Sequence, residues 1–588
     1  MKKIISFIAI AIGLVSCDLN RLPEDAISPN TFFNTENDLL LYTNSFYNAM
    51  PSAEDVYNED VDNVVKNSLR DELQGTRVVP TSEANANSPS NVESNARGWR
   101  WADLRNINYF LANSGKCPDK KAVAKYNGLA RFFRAYFYFN KVKRFGDVPW
   151  YGSTADMSDA DMLTKARDPR TMVMDSVMAD VNNAIATLDA SRQLNTITKW
   201  TALALKSRIG LYEGTFRKYH PEFSLPDANK FLDASIEASD NLMKNSGYVI
   251  YKATPSTAYM KLFSSDNAIP DEVILARDFS DELQVYHNLN YYTMTASYGK
   301  PGLEKKLVNS YLMADGTRFT DIKGYETMQF AEEVQNRDPR LSQTIRTPGY
   351  TRIGETTPLT PEFGATVTGY QLIKFVSAPK WDTFTKDITD MPIFRYAEVL
   401  MNYAEAKAER GTLTQADLDI STKLTRDRVG MPNINLAAAN ANPDPYQAQQ
   451  YTQLSGSNVG VILEIRRERR IELVMENFFR WDDLIRWKEG QLLTKVFKGM
   501  YFPGPGSFDL DKNGKVDLVI YEGTKPTVAG AQVLKLGSEI LLENGNKGGN
   551  IVVNGHINKK FNESRDYLYP IPTQELLLNT KLKQNPNW

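Results

Sequence analysis

EIRRERRIELVMENFFRWDDLIRW, residues 464–487, combines a dense run of charge with a regular apolar stripe. Ile471, Val474, Phe478 and Ile485 recur at helical spacing, which predicts a helix over about 460–489. Glu472, Glu476 and Arg480 stand at successive i, i+4 positions, acids ahead of the base in the favoured order. Such charge density invites a ligand-site reading. A core helix whose ion-pair ladder orients its neighbours accounts for it better.

Outward from this stretch, helical patterns recur. Pro392 suits a first helical turn, which predicts a helix from there to Arg410 with Gly411 as its stop, and Ala404, Ala406 and Ala408 allow close packing. Asp38–Met50 reads as a first helix. Ala122–Arg144 carries Leu129, Phe132, Phe133, Tyr136, Phe139 and Val142 on one broad stripe, ended by Gly146 and Pro149. Further helices are predicted at 170–189, 198–218 and 228–245. Between them the character changes. Residues 52–98 are polar and aperiodic, 250–385 are rich in Gly, Pro, Thr and Tyr, and 495–588 is again loop-rich. Helix pairs joined by short turns suggest tetratricopeptide-like hairpins, although no 34-residue consensus repeats. The fold class expected is mainly α: a helical-repeat scaffold with a large irregular portion carrying short strands.

The amino end sets the compartment. Lys2 and Lys3 precede an apolar run, Ile4–Val15, too short for a spanning helix, and Leu14-Val15-Ser16-Cys17 closes it. A cysteine directly after Leu-x-Ser resembles a bacterial lipobox. That resemblance implies a signal peptide over 1–16, cleavage before Cys17, and acyl chains (diacylglycerol and a palmitate-type amide) anchoring a tether, 17–35, to lipid. The alternative is an ordinary secreted protein with Cys17 there by chance. The other cysteine, Cys117, then has no disulfide partner. Hydrophobic residues make up 42% and charged residues 24%, ample for a core, and the formal charge of -2 with no basic block disfavours nucleic acid. His220, His287 and His556 are the only histidines and show no metal spacing; no nucleophile elbow or phosphate loop appears. An acid pair of glycosidase type is not located by any motif. The chain reads as a non-enzyme.

The 464–487 stretch is similar to the signature helix of the SusD/RagB family of outer-membrane lipoproteins. CDLNRLPEDAISPNTFF at 17–33, ARFFRAYFYFNKVKRFGDVPW at 130–150, DPRTMVMDSVMADVNNAIATL at 168–188, ITKWTALALKSRIGLYEG at 197–214, RDPRL at 337–341, FRYAEVLMNYAEAKAE at 394–409 and YLYPIPTQELLLNTKLKQNPNW at 567–588 agree with it in order. The resemblance spans the mature chain and implies one domain, 36–588. In it a helical scaffold (36–248 and 390–490) supports ligand-facing loops (52–100 and 250–385) and a carboxy-terminal segment (495–588). It implies a nutrient-binding protein on the cell surface, lipid-anchored in the outer membrane. Such a protein captures oligo- or polysaccharide as the lid of a SusC-like TonB-dependent transporter. The same role with oligopeptide cargo, or a helical scaffold binding only proteins, are the alternatives.

No binding motif transfers from the resemblance, because the ligand residues of such proteins vary. Sugar rings present a C–H face to Trp or Tyr and hydroxyls to Asn, Asp and Arg, so rings on exposed loops are the candidates. Trp99, with Tyr57, marks the first place; Trp101 begins a helical pattern and is expected inside. Tyr291, Tyr292 and Tyr298, interleaved with Asn288 and Asn290 in YHNLNYYTMTASY (286–298), mark the second. Trp381 within KWDTF marks the third. Trp99 and the 286–298 tyrosines are expected to form the capture site. DLDKNGKVD at 509–517 is one candidate metal loop. Asp509, Asp511 and Asn513 take the 1, 3, 5 spacing, Gly514 the turn, Lys515 a carbonyl position and Asp517 position 9, but Ile520 replaces the bidentate Glu at position 12. Structural calcium completed by a ligand from elsewhere, or a metal-free Asx turn, both fit. No other cofactor is expected.

Overall fold

The computed structural model describes residues 32–53, 63–64, 98–154, 162, 164–297, 300–477, 479–553, 555 and 560–588. The predicted signal peptide, Cys17 and most of the tether, together with Tyr57, Tyr298, Phe478 and His556, lie outside them. The architecture is mainly α. Nine longer helices carry it: α1 (Glu36–Asn44), α2 (Ala102–Asn113), α3 (Lys120–Phe145), α4 (Arg170–Thr187), α5 (Lys199–Tyr219), α6 (Ala228–Asn245), α7 (Tyr396–Glu409), α8 (Val459–Glu472) and α9 (Phe479–Arg486). Among the described residues no helix is long and apolar enough to cross a membrane.

Local chemistry fixes the helix ends. Asp119 caps α3 by accepting from the N–H groups of Lys121 and Ala122, and Gly146, at φ +71°, stops it after the basic pair Lys143 and Arg144. At the start of α5 the Thr198 N–H donates to Thr201 Oγ1. Successive helices from α2 to α6 then pack side by side, as in tetratricopeptide hairpins, and α6 continues onto α7 across the whole 246–395 excursion. Small residues allow the closest crossing. A Cβ on Gly210 would sit 2.6 Å from the Phe231 carbonyl oxygen, and one on Gly214 2.7 Å from Leu232 Cγ. At this crossing Ser207 and Ser239 share a hydrogen bond, and Asn402 of α7 donates to Ser207 Oγ. Ala406 packs on Leu211 and Leu232, and Ala404 and Ala408 on Ile462 and Ile465 of α8.

Two further findings change the sequence reading. Pro392 opens no helix: it lies in a strand, Met391–Arg395, paired antiparallel with Val273–Arg277, with Ala276 opposite Pro392. The pair is only two strands wide, so the missing proline N–H costs no ladder bond on the free side. The predicted helix over 460–489 is two helices. Met475 and Asn477 take left-handed backbone (φ +60° and +48°) between α8 and α9, so Glu472, Glu476 and Arg480 do not share a face. Arg480 instead donates to the Tyr451 hydroxyl.

What the acids of this stretch do is hold the molecule's centre together. Arg395 donates to Glu272, Glu472 and Glu476 at 2.7–3.0 Å, Arg428 to Glu272 and Glu472, Arg340 to Glu468, Glu472 and Asp338, and Lys374 to Glu476. All are buried. Burial opposes ionisation of Glu468, but Arg340 and Arg426 outweigh it and hold its carboxyl at about 2. Burial pushes Lys374 down to about 8. The network joins α8 to the strand pair, to the 338–342 turn and to the 422–428 helix. One hydrophobic cluster lies under the amino-terminal helices and the final residues 567–582; a second lies under the 259–375 excursion and the strands of 497–553. Asn585 ties the carboxy-terminal segment to α3 by donating to the Phe145 carbonyl.

Candidate functional site

Two of the three places picked from sequence come together on one surface. The 280–297 stretch folds as a tight turn, bridged Ser280 to Val285, followed by a short helix, Leu289–Met294. The 378–387 stretch lies against it. His287 bridges to Asp387, the Asn290 amide donates to Asp382 Oδ1 at 2.8 Å, and the Thr385 N–H donates to Asn288 Oδ1 at 2.7 Å. Arg352 clamps Asp382 with two parallel bonds of 2.7 and 2.9 Å. These polar links hold two irregular segments as a unit, and aromatic side chains stand on its outer side.

Phe384 is 53% exposed and meets the half-buried Tyr291 edge to face, ring centroids 5.3 Å apart. Tyr286 lies along the same segment, with Lys386 Nζ 4.7 Å from its ring centre and its hydroxyl donating to Asp281. Trp381, half-buried, is fixed by its indole N–H donating to Asp266 and by Lys380 Nζ 4.3 Å from its ring centre. Leu283 and Val285 project from the turn, 73% and 45% exposed. The surface thus offers rigid rings beside the charged groups Lys380, Lys386 and Asp281. That chemistry suits a flat, hydroxyl-bearing ligand.

Other sequence choices are corrected. Trp99 is only 4% exposed; it packs edge-on to Trp101 and Phe145 in the amino-terminal cluster, apart from the cluster that holds Tyr292. Its neighbour Trp101, expected inside, packs against the same cluster on Phe137, Tyr138 and Tyr151 but stays partly exposed, the less buried ring of the two. Tyr292, 8% exposed, packs inward among apolar residues, and Asn290 is fully buried, its amide committed to Asp382 and the Ala378 carbonyl. These two position the surface and do not present themselves to a ligand. Helical spacing explains why: within Leu289–Met294 only one side faces out, and Tyr291 is on it. Sequence reasoning passed over Phe384, although it ends the same KWDTF motif, and over Tyr286 and Arg352. The ring spacing in KWDTF was the available signal for Phe384; Arg352 had none.

The 509–517 segment forms the turn between the strands Gly506–Phe508 and Leu518–Tyr521. Oxygens of Asp509, Asp511 and Asp517 lie within 4.8 Å of one another. Burial alone would raise Asp509, yet N–H donors from Gly514 and Asn513 leave its carboxyl below the ordinary range, while burial and the neighbouring Asp511 and Asp509 raise Asp517. Lys515 N–H donates to Asn513 Oδ1. Ile520 is buried in its strand, so the bidentate position is filled by hydrocarbon. Three carboxylates therefore fit a hard cation in part, and the Asx hydrogen bonds fit a metal-free turn. Two of the histidines are structural. His220 contacts Glu222 and the Ile485 carbonyl, and His287 the Thr389 carbonyl.

With this geometry in hand, comparison with known proteins is informative. The model of the SusD family matches residues 271–588, and a second, described as "Starch-binding associating with outer membrane", matches 32–211. The chain is 22% identical over 603 residues to SusD-like protein P2 of Formosa agariphila, covering 100% of this chain and 99% of that protein. A SusD-like protein from Bacteroides fragilis superimposes with a TM-score of 0.67 at 20% identity, covering 97% of this chain and 100% of the other. A SusD-like carbohydrate binding protein from the same species does so at 0.63 and 19%, covering 94% and 100%.

Proposed function

The chain belongs to the SusD family, and on that premise we propose that it is a glycan-binding protein of the outer membrane, a binding protein and not an enzyme. Captured saccharide lies on the face built from 280–297 and 378–387, with Phe384, Tyr291, Tyr286 and Trp381 as platforms. The observation that carries this reading is the convergence of those two segments into a rigid, ring-bearing, exposed surface. Its association with the membrane follows the description of the matching amino-terminal family model. The finer reading adds three elements: acyl chains on Cys17, orientation to the exterior, and service as the lid of a SusC-like TonB-dependent transporter. A lipid anchor confines the body to two dimensions beside such a barrel and so raises their effective concentration. Calcium in the Asp509–Asp517 turn would be structural.

A glycan array probed with the purified protein tests the reading, followed by an assay for reducing ends released from any bound glycan. Binding without release is expected. Release would make it an enzyme; binding of peptides and no glycan would replace the cargo; retention of a transporter without either ligand would reduce it to a protein scaffold.

A further inference from the structure

A second concavity lies where α1, α3, the 188–197 connection and the Val273–Arg277 strand meet, and it shares no residue with the face described above. Its volume is about 610 Å³, within the range of small-ligand pockets. The floor is hydrocarbon, from Leu129, Leu188, Ile197 and Ile393, all nearly inaccessible. Two phenols, Tyr47 and Tyr126, form walls. Tyr47 is held in place because its hydroxyl accepts from the Ile197 N–H at 3.0 Å.

The rim is what distinguishes this pocket from an ordinary packing defect. Asn44, Asn48, Gln193 and Thr196 are exposed around it, and none of these side chains makes a hydrogen bond within the described residues. Charges at the rim are already engaged. Lys125 pairs with Asp189 at 3.1 Å, Arg277 donates to the carbonyls of Met50 and Pro51, and Asp278 accepts from Asn195. Lys125 and Arg277 are matched in number by Asp189 and Asp278, so the rim carries no net charge that would select an anion or a cation. A purely apolar ligand would leave the amide rim facing it unmatched.

We propose that this pocket is a second saccharide subsite taking a short neutral sugar: the C–H faces pack on the apolar floor and phenols, and the hydroxyls bond to the amides and Thr196. It goes beyond the loop-face reading and does not depend on it. Two separated subsites would hold one chain at two points, or two chains at once, and either raises retention without new contacts.

Saturation-transfer NMR with maltose, cellobiose and laminaribiose, each alone, tests the proposal. Thr196→Trp fills the pocket from an exposed position, Asn48→Ala/Gln193→Ala removes rim groups without filling it, and Tyr291→Ala/Phe384→Ala strips the loop face; melting curves check that each folds. At least one disaccharide should bind the wild type, with affinity falling about tenfold in both pocket variants and holding in the loop-face variant. No transfer to any of the three disaccharides, or a loss that follows Tyr291 and Phe384 and spares Thr196→Trp, overturns the pocket. The latter result leaves the loop face standing.

Discussion

Helix α8 and the loop face around Phe384 use charged and aromatic residues in opposite ways. In α8 every residue from Ile465 to Glu472 is buried, and its acids grip arginines from three other parts of the chain. On the loop face the buried polar groups are few (Asn290, Asp387, Arg352), and the rings stand outside them. The most charged stretch of the sequence is therefore structural. The plain, Tyr- and Asn-rich stretch carries the proposed capture face. Buried, paired charge favours one arrangement of the scaffold, at a high cost when one partner is removed, whereas rings on loops remain free to change with the ligand.

The sharpest break of this contrast is at Arg395. Arg395→Met leaves Glu272, Glu472 and Glu476 sharing too few cations, and a loss of about 3–5 kcal/mol is expected in urea unfolding. An unchanged midpoint would show that the network does not hold the centre. Acid probes the same network more gently. Glu468 is held at about 2, below its ordinary 4.5, so its stabilisation is complete above pH 4.5 and disappears as pH falls from there through 2. Thermal midpoints should decline across that window, and Glu468→Gln should flatten the decline.

The loop face should respond in the other currency. Tyr291→Ala/Phe384→Ala should lower unfolding stability by only about 1 kcal/mol, since Phe384 stands in solvent and Tyr291 is half-buried against the second cluster. Glycan affinity should nevertheless fall about 30-fold, at about 1 kcal/mol for each stacked ring. Asn290→Ala sits between the two regimes. It cuts the tie to Asp382 and should weaken binding indirectly, while Thr385 keeps its bond to Asn288. The smallest effect is expected at the Asp509–Asp517 turn. If calcium is held there, chelation lowers the melting temperature; no shift identifies a metal-free Asx turn.

Helix periodicity was legible because one stripe decides it. The Leu129–Val142 stripe and the Gly146 stop place α3 almost to its ends, and the alanines of α7 do pack against its neighbours as their size suggests. Boundaries failed where tertiary partners overrode local signals. Pro392 looks like a helix start until Val273–Arg277 pairs with it, and the break at Met475–Asn477 aims Glu476 at Arg395 and Lys374 in a way no i, i+4 count reveals. The site was half legible. Ring-rich loops could be named, and the 286–298 and KWDTF segments were, but their mutual contact through Asn290 and Asp382 is a fact of folding. Exposure was misjudged at Trp99, whose burial depends on Phe145, distant in sequence.

Calorimetric titration of wild type and Tyr291→Ala/Phe384→Ala with the glycan that the array selects most directly tests whether capture happens on the loop face. A large loss of affinity in a variant that stays folded at the titration temperature is the predicted result. Equal affinity in the two proteins would contradict it.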